Sequence, residues 1–99
     1  MRLYKNIAAN QTNFDVTSAG KVINTPSEIY ISNTSSNVLT ATLFIADTSN
    51  TVIATLINTV DIPVGSALVL ESKAVRFDTK IHKLIITTTG NATCSVIIS

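Results

Sequence analysis

Apolar and polar side chains alternate with a period of two along most of this chain, and no window of ten or more residues carries apolar groups at the 3.6-residue spacing of a helix face. The clearest stretch is Leu39, Ala41, Leu43 and Ile45, interleaved with Thr40, Thr42 and Phe44. Such a segment gathers its apolar groups on one face only when the backbone is extended, so the rhythm selects strands and leaves little or no room for helix. The residue types agree. Thr, Ile and Val are β-branched and suit a pleated surface, whereas Glu, Lys and Gln are scarce.

Longer strands are predicted over residues 2–7, 28–32, 39–45, 52–60, 66–71, 80–88 and 92–98, and shorter ones at 13–16, 21–23 and around Val75 and Phe77. Turn residues separate them: Asn-Thr-Ser-Ser-Asn at 33–37, Asp-Thr-Ser-Asn at 47–50, Pro63-Val64-Gly65, and Gly90-Asn91. Pro26 suits a strand entry because it cannot donate to a ladder. The breaks at 47–50 and 90–91 each predict an antiparallel hairpin. About eight short strands with turns every eight to twelve residues describe an all-β antiparallel sandwich, jelly-roll-like in rhythm. A chain of 99 residues suffices for one such domain, residues 1–99, with one core.

Charge bounds the partners. Charged residues are 13% of the chain, about half the usual share, and the formal net charge is +1. Thr, Ser and Asn, 15, 10 and 9 of them, supply the polar surface instead. Holding nucleic acid or an acidic membrane by charge needs several clustered cations, so neither is an expected partner. Lys73, Arg76, Lys80, Lys83 and His82 gather late in the chain, but Glu71 and Asp78 stand among them, as on a solvated sheet edge. The opening residues lack the apolar run of a signal peptide, and nowhere do about 18 apolar residues run together, so a protein made in a cytoplasm is expected. On that expectation the sequons at Asn10, Asn33 and Asn91 are not glycosylation sites.

No motif for catalysis, metal or cofactor emerges. The lone His82 has no local carboxylate or nucleophile as partner, and the lone Cys94, among the alternating Val96 and Ile98, reads as a small core side chain that can form no internal disulfide. A Cys94–His82 dyad requires the two to meet across a hairpin. Oxygen donors at Asp47-Thr48-Ser49-Asn50 read as a turn before a cation site, and Gly20, Gly65 and Gly90 are too isolated to cradle phosphate. Phe14, Phe44 and Phe77 are expected in the core, while Tyr4 and Tyr30 fit either core or surface.

Between Ile29 and Val60 stands one charge, Asp47, in 32 residues. Uncharged, β-prone segments associate edge to edge when left open, so these strands lie at the sandwich centre or under a symmetric copy, with a homo-oligomer preferred. The 52–60 segment is apolar on both faces, which places it deep in the domain or in a subunit contact.

The succession Ile29-Tyr30-Ile31-Ser32-Asn33-Thr34, Leu43-Phe44-Ile45-Ala46-Asp47, Ile62-Pro63-Val64-Gly65 with Leu68-Val69-Leu70, Leu84-Ile85-Ile86-Thr87-Thr88-Thr89-Gly90 and Cys94-Ser95-Val96-Ile97-Ile98, with the opening Tyr4-Lys5-Asn6, resembles small β-sandwich virion proteins of tailed bacteriophages, particularly marine ones. The resemblance lies in strand rhythm and turn residues over nearly the whole chain. It implies a non-enzymatic structural role in a virion: a capsid decoration or cement protein, an oligomer such as a trimer, bound to the major capsid protein or other virion proteins. It carries over no functional residue. The alternative is a neck, tail or fibre component binding a receptor or glycan through the loops at 33–37 and 47–50.

Overall fold

The computed structural model describes residues 3–16, 28–71 and 81–99. The short strands expected at 21–23 and around Val75 and Phe77, the entry at Pro26 and the cations Lys73, Arg76 and Lys80 lie outside the described residues. Eight strands run through the rest: β1 (Leu3–Ile7), β2 (Phe14–Asp15), β3 (Glu28–Asn33), β4 (Leu39–Asp47), β5 (Val52–Ile62), β6 (Ala67–Glu71), β7 (His82–Thr89) and β8 (Cys94–Ile98). Sequence alternation becomes alternation of burial. Along β4, Leu39, Ala41, Leu43 and Ile45 are buried while Thr40, Thr42 and Phe44 are partly exposed, and β3 and β8 repeat the pattern.

The strands form two four-stranded sheets of order β1-β8-β3-β6 and β2-β7-β4-β5, with every ladder antiparallel. Each strand of the first half pairs with its mirror in the second: β1 with β8, β2 with β7, β3 with β6, β4 with β5. This is a long double strand, bent at the β4–β5 turn and rolled until β3 meets β8 and β4 meets β7. That path is the eight-stranded jelly roll.

The roll confirms one expected hairpin and corrects the other. β4 and β5 pair across a turn in which the Asp47 carboxylate accepts the N–H groups of Ser49 and Thr51 at 2.9 and 3.0 Å. β7 and β8 do not pair; they lie in different sheets, and the chain crosses the sandwich between them. A period-two pattern fixes which face is buried, but it is silent about which strand lies alongside.

Ile7, Ile29, Ile31, Val96 and Ile98 of the first sheet meet Leu39, Leu43, Ile45, Leu84 and Ile86 of the second in one core. Removing this apolar area from water, at about 25 cal/mol per Å2, is the main term favouring the fold. At one side of the sandwich the inward-facing Lys5 of β1 closes the gap, its Nζ 5.3 Å from the centroid of the Phe14 ring on β2. An inward charge also keeps the β1 edge from pairing with other chains. Phe14 therefore packs against the core as expected, whereas Phe44 is corrected to the outer face of the second sheet. Phe77 lies outside the described residues.

Strand β5 departs most from expectation. Of the two places expected for it, the depth of the domain is excluded: among the described residues it is the outer strand of its sheet, with Val52 and Ile53 about half exposed (52% and 54%). Beside the single charge of Asp61 near its end, its guard is irregular pairing. Between the pairs Ala41↔Val60 and Leu43↔Ile57, between Leu43↔Ile57 and Phe44↔Thr55, and between Ile45↔Ala54 and Ala46↔Val52, β5 runs one residue longer than β4. Each extra residue is a bulge that bends the strand and spoils its free edge as a template. At the first bulge Thr59 takes a φ of 54°, unusual for a β-branched residue, and its N–H donates to Thr42 Oγ1 at 2.9 Å.

Candidate functional site

The ladders assemble on the outer face of the first sheet a row that no stretch of sequence contains. Tyr4 lies opposite Ile97, Ile97 opposite Tyr30, and Tyr30 opposite Val69, so two aromatic and two aliphatic side chains cross all four strands. Tyr4 is 66% exposed and Val69 44%. One side of the row is bordered by the small, uncharged Asn6, Ser95, Ser32 and Ala67, and the other by Glu28 opposite Glu71. Neither glutamate is ion-paired among the described residues, and like charges set directly across a ladder repel. A flat apolar row rich in tyrosine, with a polar border, has the composition of the centre and rim of a protein interface.

No family model and no curated protein matches the chain. Solved chains similar to it belong to structures of infectious bursal disease virus. They are from the Gx strain (15% identity, TM-score 0.39, covering 98% of this chain and 28% of that one), the T13 viral particle (13%, 0.35, 98% and 30%) and the Gt strain (14%, 0.33, 98% and 31%). This chain spans less than a third of the length of each.

Cys94 and His82 are far apart. Cys94 opens β8 in the first sheet, opposite Ile7 and Asn33, while His82 opens β7 in the second, opposite Asp47. The whole length of β7 separates His82 from the end of the sandwich that holds Cys94, on the order of 25 Å at strand rise. Cys94 is buried at 2% exposure, and loss of water pushes its thiol up to about 11. The thiol therefore stays protonated at neutral pH and behaves as a small apolar group. Native protein at pH 7 is expected to leave Cys94 unmodified by a thiol reagent that labels it fully in denaturant. Because the folded pKa lies above the unfolded one, the unfolded state sheds its proton first. Stability is thus unaffected by this group below about pH 9 and falls by roughly 2–3 kcal/mol as pH rises towards 11. Denaturant midpoints of the native chain and of Cys94→Ala across that range check it, since the variant lacks this loss.

The two loops of the glycan-binding alternative cannot make one site, because they lie at opposite ends of β4. The 33–37 loop is also occupied with itself. Asn33, 5% exposed, donates from Nδ2 to the carbonyls of Asn37 (2.8 Å) and Ile62 (3.0 Å), and its Oδ1 accepts Ser35 N–H (3.0 Å) and Ser35 Oγ–H (2.8 Å). Asn37 Nδ2 reaches the Asn91 carbonyl at 3.0 Å, and Asn10 Oδ1 accepts the Asn91 N–H at 3.1 Å. Three loops are thereby tied together by asparagines, the three sequon residues among them.

Among the described residues no three His, Cys, Asp or Glu side chains are grouped to hold a metal ion. The outer face of the second sheet does carry a cleft of about 510 Å3, lined by Asn13, Asp15, Phe44, Asn50, Val52, Lys83 and Ile85. Asp15, Ile85 and Phe44 stand in one cross-strand row. Sequence reading missed this cleft because its members come from β2 and the residue before it, β4, the β4–β5 turn, β5 and β7, and only the roll brings them together.

Proposed function

We propose that this chain is a virion structural protein, a capsid decoration or cement protein of a tailed bacteriophage that holds neighbouring capsid subunits together. The observation that carries the reading is the outward row Tyr4–Ile97–Tyr30–Val69 on a sheet face whose flanking charges, among the described residues, are Glu28 and Glu71. Burying such a face costs little desolvation of charge and leaves tyrosines to anchor the contact. The strand rhythm shared with small phage virion proteins points the same way. A face-to-face copy that set Glu28 and Glu71 against their equivalents would add to the repulsion between them. A capsid subunit with a cation opposite Glu28 and Glu71, or a cyclic trimer in which the row meets a different patch of its neighbour, avoids that repulsion.

Quantitative mass spectrometry of purified particles is expected to find the chain at hundreds of copies; a few copies would move it to the neck, tail or fibre. Light scattering is expected to show mass rising with concentration, and a strict monomer at high concentration sinks the homo-oligomer. Tyr30→Ser, at an outward position, is expected to leave the melting temperature within a few degrees while weakening particle binding about thirtyfold or more, the effect of losing about 2 kcal/mol at an interface anchor. Undiminished binding by that variant would remove the row from the contact.

A further inference from the structure

The structure assigns to the cleft on the outer face of the second sheet the binding of a neutral saccharide ring. The assignment is independent of the structural role proposed above, since it uses the opposite sheet. The cleft floor is apolar: Phe44 is half-buried and Ile85 is 3% exposed although it faces outward, with Val52 forming an aliphatic wall. Above that floor stand polar groups of both hydrogen-bonding senses. Asn13 Oδ1 accepts Thr87 Oγ1–H at 3.3 Å and Asn50 Oδ1 accepts Lys83 Nζ–H at 3.0 Å. These bonds occupy both carboxamide oxygens, and each NH2 group is still able to donate to a ligand. Both asparagines hold a left-handed backbone, φ 50° at Asn13 and 65° at Asn50, a conformation that asparagine tolerates better than most residues. Asp15 adds a carboxylate, whose roughly four acceptor directions allow it to accept a hydroxyl beside its other contacts.

Among the described lining residues one anionic group, Asp15, stands with one cationic group, Lys83, and neither sign dominates. The occupant must offer hydroxyls that both donate and accept, together with a puckered apolar face for Phe44, Ile85 and Val52. A pyranose has that chemistry, and about 510 Å3 accommodates one or two rings.

The test is protein-observed NMR of the whole chain titrated with neutral mono- and disaccharides, with adenosine as a flat, hydrogen-bonding comparison. At least one saccharide is expected to shift the amides of Phe44, Asn50 and Ile85 with a Kd in the range of about 1 mM, typical of a single shallow site. Phe44→Leu keeps an apolar strand residue and is expected to weaken that binding about tenfold. Asn50→Gly keeps the positive φ while removing the amide, and is expected to do the same. Tyr30→Ser on the other sheet is expected to bind normally. Absence of any saccharide-induced shift at these amides up to about 10 mM, binding unchanged in both cleft variants, or tighter binding of adenosine would each overturn the assignment.

Discussion

Gly90→Ala is expected to destabilise the protein by about 3 kcal/mol, lowering its Tm by roughly 15 °C, which makes it one of the two most damaging single substitutions we expect. Gly90 sits in the crossing between β7 and β8 with a φ of +92°, a conformation that a side chain resists. The conformation is half of the effect. A Cβ built on Gly90 runs into the backbone carbonyl oxygen of Val38, just before β4, and that atom cannot swing away as a flexible side chain would. Relief requires the 90–93 crossing to part from the 34–38 loop, which also breaks the bond from Asn37 Nδ2 to the Asn91 carbonyl.

Gly65 supplies the comparison that separates strain from collision. Its φ of +73° is similarly left-handed, but a Cβ there meets nothing within 4 Å. Gly65→Ala is therefore expected to cost about 1 kcal/mol, the backbone penalty alone. Thermal or denaturant unfolding of both variants gives the difference directly. Equal losses would show that the approach of Gly90 to Val38 contributes nothing.

Much of the fold was legible because burial in a sandwich repeats every second residue. β1, β3, β4, β5, β6, β7 and β8 all fall where alternation placed them, and the turns at Asp47, Gly65 and Gly90 fall between them. What alternation lacks is a partner. The sequence around Gly90 reads the same whether the flanking strands pair or part, and only burial on both sheets at once, from Ile7 to Ile98, decides that they part. The same gap hid both surfaces. Tyr4 and Tyr30 stand singly in sequence, with β2 of the other sheet between them in the chain, and become neighbours of Ile97 only through the β1–β8 and β3–β8 ladders. Phe44 was misread for a different reason. Its own register pointed outward, but the general tendency of phenylalanine to be buried outweighed that position.

Asn33 bears the second large expectation, and it tests whether the uncharged polar residues are structural or merely soluble cover. Asn33→Ala is expected to cost about 3 kcal/mol, because it orphans the Ile62 carbonyl and the Ser35 N–H at a site with little access to water. Asn37→Ala, exposed and making one side-chain bond to Asn91, is expected to cost below about 1 kcal/mol. The sharper variant is Asn33→Asp, which keeps the shape and replaces the amide donor with a carboxylate facing the carbonyls of Asn37 and Ile62. Those oxygens repel the charge and burial disfavours it, so the new carboxyl titrates above its unfolded value of about 3.9. A group whose folded pKa is raised keeps its full stability below the unfolded pKa and loses stability as pH climbs through the folded one. Asn33→Asp is thus expected to unfold at lower denaturant at pH 7 than at pH 4, relative to the native sequence at each pH, by about 2 kcal/mol or more. A difference that does not vary with pH would mean the loop opens to hydrate the carboxylate. In that case the 33–37 loop is not the clamp its four hydrogen bonds describe.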